Sequence, residues 1–493
     1  MSDCLFAADI GTTQIKAALV DEQGQMIDLV SEANRVYCPH DGWSEIDMEE
    51  IYKTFCSMAR TLIRRNPSAA KSIKGIGITA LGEGLWPLDK DMHPVRRAIL
   101  WNDTRARALE LLNRQQIDNM LIEHHVTPLF PASPPMILRW LKEYEPENYL
   151  RTAYGVHCGD FLNYRLTGRL ATDRTLASTA SINVVTGEYY YPLFELMGIG
   201  DKAAAMPEIL RSTDIVGNVS AQAEQATGIL RGTPVIAGAL DAAATIFGAG
   251  AYRKGDACTV FGTSLCNAAV LDETQVDHTN TCGSTLCGIV PGTYIRMLST
   301  NCGSALIDWA KAMFAPDLAF DELERQISTA PIGSNGLICH PYLNGERAPF
   351  KDAFACGGFY GLTAAHTRME LMRAAYEGLI LSLMDCYREI PSGFARAFVA
   401  GGGANSALLC GLTASAINVP VHRSAQKQLG ISGIAAAARY ALGYASELEP
   451  AVSNGDTFHP NAQDTNALHA MYAQYSDLRV RMQKYWPRLR RDA

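Results

Sequence analysis

The first residues whose types and spacing suit chemistry form a short polar turn near the N-terminus, with Asp9, Gly11, Thr12 and Thr13, followed by Lys16. Glycine lets backbone N–H groups point inward and two neighbouring hydroxyls add donors, so such a turn can cradle an anion. The Asp9 carboxylate can hold Mg²⁺ directly or through water, because that ion takes few carboxylates and keeps several waters. The same residues also suit an ordinary hairpin turn, so this motif needs support from elsewhere in the chain.

A second turn of similar composition, containing Gly262 and Thr263, lies in the other half of the chain. Apolar runs at 256–261 and 265–271 predict strands on either side of it, as they do around the first turn. A strand, a Gly-Thr turn and a strand therefore occur twice, which predicts two lobes of similar plan that meet near residues 245–255. Two such turns on facing lobes can clamp a polyphosphate between them.

A single carboxylate, Asp241, follows the apolar run 233–240, which predicts a strand, and precedes the small residues 242–250, which predict a closely packed helix. A carboxylate at the end of a strand beside a lobe boundary lies at a cleft. Phosphoryl transfer to an alcohol needs a group that accepts the hydroxyl proton, and such help contributes about 10²–10⁴-fold in rate. The competing interpretation is a helix N-cap, a position that aspartate favours.

The loop after a predicted buried strand at 73–79 carries Glu83, Trp101, Asp103 and Arg105. Carboxylates accept pairs of hydrogen bonds from the hydroxyls of a polyol, and an aromatic face packs against its C–H side. Taken singly, the same residues suit a surface glutamate, a core tryptophan and a surface ion pair. The loop predicts a polyol site only in combination with the phosphate turns.

Three glycines at 401–403 follow a predicted strand at Arg396–Ala400. They permit close approach of a flat ligand such as adenine to the backbone, and a flexible strand-to-helix turn is the alternative. The charged turn 344–349, with the sequence NGERAP, has no chemistry that follows from its residue types. His340 and the other histidines show no ligand spacing, which favours structural roles.

The elements that must position these residues alternate between strands and helices. Residues 4–31 predict an antiparallel meander, unlike a Rossmann start, in which the glycine-rich turn opens a helix. A helix is predicted at Met48–Arg65, where Asp47 and Glu50 supply a capping pattern. Near the C-terminus, apolar residues at helical spacing predict a helix over 465–486 that docks on its lobe.

The composition excludes several classes of protein. The chain has 493 residues, a formal net charge of -8 and no dense Lys/Arg tract, which argues against nucleic acid or an anionic membrane as the main partner. Neither a membrane span nor a signal peptide is visible, so we expect a cytoplasmic protein. The 13 scattered cysteines predict reduced thiols. Zinc at Cys282 and Cys287 is disfavoured, because no second pair lies nearby at ligand spacing.

Taken together, these motifs resemble those of the FGGY carbohydrate kinases. The resemblance runs from residue 5 to about 445 and rests on ordered segments, which are ADIGTTQIK at 8–16, AGALD at 237–241, FGTS at 261–264, YLNGERAP at 342–349 with GFYGL at 358–362, and AGGGANS at 400–406. It implies an α/β fold of two lobes, the actin-like (ribonuclease H-like) ATPase fold, with mixed sheets flanked by helices and a cleft between the lobes. We expect an N-terminal lobe at 1–245 for the sugar and the first phosphate turn. The second lobe, at 246–493, would bind the nucleotide and carry the docking helix.

The resemblance also implies roles for single residues and a need for ATP and Mg²⁺. Asp241 lies where the family has its catalytic base, and Asp9 lies on the Mg²⁺ side of the first phosphate turn. The other assignments group by ligand: Gly11, Thr12, Thr13, Lys16, Gly262 and Thr263 for the phosphates, Gly402, Gly403 and Asn405 for adenosine, and Glu83, Trp101 and Asp103, with Asp241, for the sugar.

The substrate depends on the loop at 81–84. Glycerol kinases carry Gln-Arg-Glu-Thr where this chain has Leu-Gly-Glu-Gly, and xylulokinases usually carry Met-His-Gly there. The segments GEGLW at 82–86 and RAAYEG at 373–378 look more like the L-xylulose kinase and erythritol kinase branches. We expect a kinase for a ketopentose such as xylulose, with erythritol or another short polyol as the alternative. An actin-like ATPase without sugar kinase activity, a catalytically silent sugar sensor and a homodimer are left open.

Overall fold

Two seven-stranded sheets form the framework of the computed structural model of this chain. The structure describes residues 3–68, 71–109, 114–179, 182–276, 282–391, 393–451 and 455–489. The strands of the first sheet are β1 (Cys4–Ile10), β2 (Gln14–Asp21), β3 (Met26–Ala33), β4 (Ile73–Ala80), β5 (Ile215–Asn218), β6 (Pro234–Ile236) and β7 (Ala239–Leu240). Those of the second sheet are β8 (Asp256–Phe261), β9 (Leu265–Leu271), β10 (Ser284–Cys287), β11 (Tyr294–Ser299), β12 (Arg396–Ala400), β13 (Val421–Arg423) and β14 (Asp456–Phe458).

Helices cover the faces of both sheets. In chain order they are α1 (Met48–Arg65), α2 (Arg114–Glu123), α3 (Pro134–Tyr144), α4 (Pro146–Arg151), α5 (Cys158–Thr167), α6 (Arg174–Ala177), α7 (Tyr191–Leu196), α8 (Ala221–Thr227), α9 (Asp241–Ala249), α10 (Ser304–Phe314), α11 (Phe320–Ile327), α12 (Arg368–Arg388), α13 (Ala407–Ile417), α14 (Leu429–Ala441), α15 (Ala462–Met482) and α16 (Trp486–Leu489). Short paired strands lie outside the two sheets, at Glu45–Ile46, Trp86–Leu88, Ala98–Ile99, Tyr154–Val156, Ala171–Asp173, Ile182–Asn183, Glu188–Tyr189, Glu208–Leu210, Ile338–His340 and Gly358–Tyr360.

The two sheets share one arrangement of strand directions. In the first sheet, β1 pairs antiparallel with β2 and parallel with β4, while β2 pairs antiparallel with β3 and β4 pairs parallel with β6. In the second sheet, β8 pairs antiparallel with β9 and parallel with β12, while β9 pairs antiparallel with β11 and β12 pairs parallel with β13. The predicted α/β fold of two lobes with mixed sheets is therefore confirmed.

Local sequence signals predicted the opening of the chain well. The meander is present as β1, β2 and β3, and α1 spans Met48–Arg65 as expected. Asp47 is its N-cap, and one carboxylate oxygen accepts the N–H groups of Glu49 and Glu50 at 2.9 and 3.0 Å. These contacts satisfy donors that the first turn of a helix leaves without an internal acceptor.

Two predicted elements differ from the structure. The single strand expected over 233–240 is divided into β6 and β7, because Gly238 adopts a φ of 91°. A Cβ at that position would lie 2.1 Å from the Ile78 carbonyl oxygen, so the bend requires glycine. The C-terminal helix ends at Met482 rather than near Trp486, which begins the separate α16. Its apolar stripe docks on the second lobe as expected, with Leu468 and Tyr475 fully buried.

Two helices, α9 and α14, cross between the lobes. α9 follows a strand of the first sheet but packs on β12 of the second, while α14 packs on β1 and β4 of the first. The crossing is close: a Cβ on Gly248 would lie 2.0 Å from the Leu429 carbonyl oxygen, and one on Gly433 would lie 2.1 Å from that of Ala244. One buried apolar cluster therefore contains residues of both lobes. The predicted lobe boundary at residues 245 and 246 falls within α9 and stays a prediction.

Candidate active site

Three parallel strands bring their carboxyl ends to one edge of the first sheet. Ile10 of β1 and Leu240 of β7 both pair with Ala80 of β4. The turn after Ile10, the loop after Ala80 and the residue after Leu240, which is Asp241, therefore start at the same edge. In open α/β sheets this is the edge at which ligands bind.

The second sheet presents its two glycine-containing turns in the same way. Val260 of β8 pairs with Ala400 of β12, so the turn at 262–264 and the turn at 401–405 lie side by side. Gly401 has a φ of 83°, and a Cβ there would lie 2.4 Å from the Phe261 carbonyl oxygen. A Cβ on Gly402 would meet no atom within 4 Å. Gly401 is thus required by the protein's own packing, whereas Gly402 faces open space.

Hydrogen bonds hold the first turn at Gly11 and leave the N–H groups of the next two residues accessible. The Gly11 N–H donates to the Gln14 carbonyl at 2.9 Å, and the Asn34 side chain donates to the Gly11 carbonyl at 2.9 Å. Within the described residues, the N–H groups of Thr12 and Thr13 donate to no protein acceptor. Outward N–H groups of this kind suit a phosphate.

The second turn is braced by the start of α10. The Ser304 N–H donates to the Gly262 carbonyl at 2.8 Å, and the Gly303 N–H donates to the Thr263 carbonyl at 2.7 Å. Across the described part of the chain, the Thr263 N–H also has no protein acceptor. Both turns therefore combine anchored carbonyl groups with available N–H groups.

Two partly buried carboxylates, Asp9 and Asp241, lie at the edge of the first sheet. Burial raises the pKa of Asp241 to about 7, and the negative charge of Asp9 adds to the rise. Burial also raises the pKa of Asp9, against the opposing charge of Lys16, its partner in the β1–β2 register. Two neighbouring carboxylates in a buried site are unfavourable without a cation, so this donor set fits a divalent metal that takes oxygen ligands.

The Asp241 side chain does not cap its helix. Asp241 is the first residue of α9, Leu240 occupies the N-cap position, and no side chain caps the helix there. One Asp241 oxygen accepts only the N–H of the next residue, Ala242, at 2.7 Å. The N-cap interpretation is therefore wrong, and the carboxylate remains available to a ligand.

Glu83 projects from a strained loop. Its φ is 59°, an uncommon left-handed value for a residue other than glycine, and strain of this kind concentrates at functional sites. Burial raises the pKa of Glu83 to about 7, against the opposing charge of Arg347, and the negative charge of Asp241 adds to the rise. Among the described residues, its carboxylate accepts no hydrogen bond. Glu83 thus shares a site with Asp241 and is free to accept ligand hydroxyls.

Comparison with known proteins identifies this site. A model of the N-terminal domain of the FGGY family of carbohydrate kinases matches residues 4–248, and a model of its C-terminal domain matches residues 257–442. The chain belongs to the FGGY family. As a member, it is a carbohydrate kinase that binds ATP, so the alternatives of an ATPase without a sugar acceptor and of a silent sensor are set aside.

This FGGY kinase has relatives named for different substrates. It is 30% identical over 482 residues to a probable L-xylulose kinase from Pasteurella multocida, covering 95% of this chain and 97% of that one. It is 27% identical to an erythritol kinase from Brucella abortus, covering 99% and 98%. The solved structure of ligand-bound xylulose kinase from Lactobacillus acidophilus matches it with a TM-score of 0.90 and 25% identity, covering 99% of this chain and 100% of that one.

In this FGGY kinase, Trp101 is exposed and Asp103 is buried within the predicted sugar loop. The Trp101 indole Nε1 donates to the Thr12 hydroxyl at 3.0 Å, and the residue is 37% exposed. Asp103 is 2% exposed, and its oxygens accept the Ser44 N–H at 2.7 Å and the Arg105 guanidinium at 2.8 and 2.9 Å. Both Asp103 oxygens are thus engaged by donors that hold the loop carrying Trp101, and the sugar contact of Asp103 stays a prediction.

Arg347 is a charged neighbour of Glu83 to which the sequence interpretation gave no role. Its Nε donates to the Ser299 carbonyl at 2.8 Å, while buried Glu346 accepts the N–H groups of Asn301 and Arg347, both at 2.8 Å. The Arg347 charge opposes the rise in the pKa of Glu83, which belongs to the other lobe. The signal available in the sequence was the adjacent charged residues Glu346 and Arg347, which lie between Gly345 and Pro349 in the charged turn 344–349.

All 13 cysteines are free thiols. In the described ranges, no cluster of three or more His, Cys, Asp or Glu residues suits a metal. No helix in the same ranges is long and apolar enough to cross a membrane. Buried His340 contacts the Tyr475 carbonyl oxygen at 3.1 Å and is structural.

Proposed function

We propose that this enzyme transfers the γ-phosphoryl group of Mg-ATP to a hydroxyl of a ketopentose such as xylulose, with Asp241 as the general base. The observation that carries the proposal is the shared sheet edge, where Asp241, the Thr12 turn and the Glu83 loop start together. The two glycine-containing turns of the second lobe would hold the rest of the nucleotide. The lobes are assigned to residues 1–245 and 246–493.

The chemical step follows from these positions. The sugar hydroxyl oxygen attacks the γ-phosphorus, its proton passes to the Asp241 carboxylate, and the bond from the γ-phosphorus to the β-bridging oxygen breaks to release ADP. A base whose pKa is about 7 accepts a proton efficiently near neutral pH. Charge develops on the phosphoryl oxygens, where the free N–H groups of Thr12, Thr13 and Thr263 would stabilise it.

The nucleotide and metal are assigned to groups around the cleft. Gly11, Thr12, Thr13, Lys16, Gly262 and Thr263 would surround the phosphates, and Gly402, Gly403 and Asn405 would contact adenosine. Asp9, with Asp241 nearby, would hold Mg²⁺, which neutralises phosphate charge when bound. Closure of the two lobes on the ligands would exclude water and so limit hydrolysis of ATP.

The sugar site is assigned to Glu83, Trp101 and Arg347. Glu83 would accept two hydroxyl hydrogen bonds, Trp101 would cover a C–H face, and Arg347 would donate from the opposite lobe. These groups suit any short chain of hydroxyls, so erythritol or another short polyol is the second candidate. The relative named erythritol kinase, which aligns over 99% of this chain, supports that alternative.

A substrate panel tests the proposal. ADP release would be measured with D- and L-xylulose, D-ribulose, erythritol, glycerol and gluconate, at equal concentrations of enzyme and Mg-ATP. We expect the highest kcat/KM with a ketopentose, and loss of more than about a hundredfold in Asp241→Asn. A polyol as the best substrate would favour the second candidate, and turnover by Asp241→Asn within tenfold of the native enzyme would refute the assignment of the base.

A further inference from the structure

The bent segment between β6 and β7, residues 237–240, is held by buried side chains from three other elements. The Thr79 hydroxyl donates to the Ala239 carbonyl at 2.9 Å, and the Asn163 amide donates to the Ala237 carbonyl at 2.8 Å. The Leu240 N–H donates to the Thr175 hydroxyl at 2.7 Å. The last of these contacts holds the backbone N–H of Leu240, the residue that directly precedes Asp241.

The direction of the hydrogen bonds at Thr175 is determined by Asp173. The Thr175 hydroxyl donates to the Asp173 carboxylate at 2.5 Å. A hydroxyl has one proton, so its lone pairs are then left to accept from the Leu240 N–H. Asp173 therefore orients Thr175, and Thr175 fixes the backbone at which α9 and its first residue, Asp241, begin.

Asp173 also anchors the other end of the bent segment. The Ser212 hydroxyl donates to the same Asp173 oxygen at 3.3 Å, and the Ser212 carbonyl accepts the Gly238 N–H at 3.0 Å. One carboxylate thus restrains the segment near both Gly238 and Leu240. These two points restrain the segment that leads into α9.

Burial of the Asp173 carboxylate is costly to the stability of the fold. Its side chain is fully buried, and within the described ranges its Oδ2 has no hydrogen-bond partner. Burial raises the pKa of Asp173 to about 7. Its Oδ1 caps α6 by accepting the N–H groups of Thr175 and Leu176, while the unpartnered Oδ2 destabilises the fold. The contacts of Oδ1 with the Thr175 and Ser212 hydroxyls are the ones that reach the segment before Asp241.

We propose that Thr175 and Asp173 are positioning residues that hold the Asp241 carboxylate at reacting distance from the substrate hydroxyl. The inference rests on the proposed role of Asp241 as the base. Neither residue touches the substrate; both act through the Leu240 peptide. Because a displacement of about 1 Å can lower a rate by about a hundredfold, loss of the Thr175 contact should be visible in the chemical step.

The test compares Thr175→Val with a matched control, Thr227→Val. Thr227 is also fully buried, donates to the Ala223 carbonyl at 2.7 Å and accepts the Ile229 N–H at 3.1 Å, but it lies in α8, which packs on α1 and α5. Both variants lose an equivalent buried hydroxyl. Single-turnover rates with saturating sugar and Mg-ATP, normalised to the folded fraction from circular dichroism, separate positioning from stability.

We expect Thr175→Val to lower the single-turnover rate by about ten- to a hundredfold with the KM for ATP unchanged, since misplacement of the base affects the transition state. Thr227→Val should retain the native rate, and Thr175→Ser, which keeps the hydroxyl, should recover it to within about threefold by the same argument. Equal rates in Thr175→Val and Thr227→Val would overturn the inference, as would failure of Thr175→Ser to recover a lowered rate.

The double variant Thr175→Val/Asp241→Asn distinguishes this inference from the proposed function. If Thr175 acts through Asp241, adding Thr175→Val to Asp241→Asn should change the remaining rate by less than about twofold, because coupled residues are not additive. A further large loss would show that Thr175 acts elsewhere and would refute the inference alone. Near-native turnover by Asp241→Asn itself would refute the proposed base.

Discussion

The Trp101 indole Nε1 donates a hydrogen bond to the Thr12 hydroxyl over 3.0 Å. This contact joins two loops that are separated by β2, β3, α1 and β4 in the chain. Trp101 belongs to the predicted sugar loop, and Thr12 belongs to the first phosphate turn. A change in the position of one loop is therefore transmitted to the other.

Replacement of Trp101 by phenylalanine removes this hydrogen bond but keeps an aromatic face. We expect the KM for ATP to rise about fivefold, corresponding to the loss of about 1 kcal/mol, while the KM for the sugar changes little. Trp309, which is 39% exposed, provides the control variant Trp309→Phe. The measurement is the KM for ATP of both variants under steady-state conditions. Equal KM values for ATP in Trp101→Phe and Trp309→Phe would contradict the coupling between the two loops.

The pH dependence of kcat/KM should follow the ionisation of Asp241. Its pKa is raised to about 7, and only the ionised form accepts a proton. Activity should therefore fall as the pH decreases through about 7 and reach a plateau above it. Glu83 has a pKa raised to about the same value, so the profile must also be measured in Glu83→Gln. If the ascending limb disappears in that variant, Glu83 rather than Asp241 governs it.

Arg347→Met removes a charge from the cleft while keeping a long side chain. We expect kcat/KM for the sugar to fall about tenfold or more, as for the loss of a hydrogen bond to a charged group. The Arg347 charge opposes the rise in the pKa of Glu83, so its removal should raise that pKa and leave less of the Glu83 carboxylate ionised at neutral pH to accept the sugar hydroxyls. The control is Arg368→Met, which breaks the exposed pair with Asp317 and should leave kcat/KM for the sugar unchanged. Matching behaviour of the two variants would exclude Arg347 from the site.

Gly402→Val tests the proposed adenosine site. A Cβ at Gly402 meets no atom within 4 Å, so the substitution should leave the thermal midpoint unchanged. An adenine lying against the backbone would clash with the new side chain, and we expect the KM for ATP to rise roughly tenfold, about 1.4 kcal/mol. Gly411, equally open, supplies the control Gly411→Val. An unaltered KM for ATP in Gly402→Val would place adenine elsewhere.

Asp103→Asn separates support of the sugar loop from direct sugar binding. Because Arg105 keeps its pair with Glu45, weakening its pair with Asp103 should lower the free energy of unfolding by about 1–3 kcal/mol, with little change in the sugar KM of the folded fraction. Urea unfolding and kinetics provide the two measurements. The control is Asp256→Asn, which breaks the pair between buried Asp256 and the 37% exposed side chain of Arg396 in the other lobe and should leave the sugar KM unchanged. A raised sugar KM at native stability would instead establish a direct contact.

The sequence by itself determined the features that depend on near neighbours. The Gly-Thr turns, the strands beside them and the Asp47 cap of α1 follow from φ preferences, alternation and hydrogen bonds within a few residues. Repetition of the turn was enough to predict two lobes of one plan. Asp241 was identified because a carboxylate interrupts an otherwise apolar stretch at the end of a strand.

The tertiary structure alone decided which of these residues share a site. Asp103 is engaged by Ser44, 59 positions away in the chain, and the Ile78 carbonyl oxygen lies 2.1 Å from where a Cβ on Gly238 would be, so the bend there requires glycine. Arg347 and Glu83 lie in different lobes, and nothing in the residue type of either one predicts that the other is near. Such contacts depend on how strands register and how the lobes pack, because side chains distant in the chain meet only after the sheets have formed.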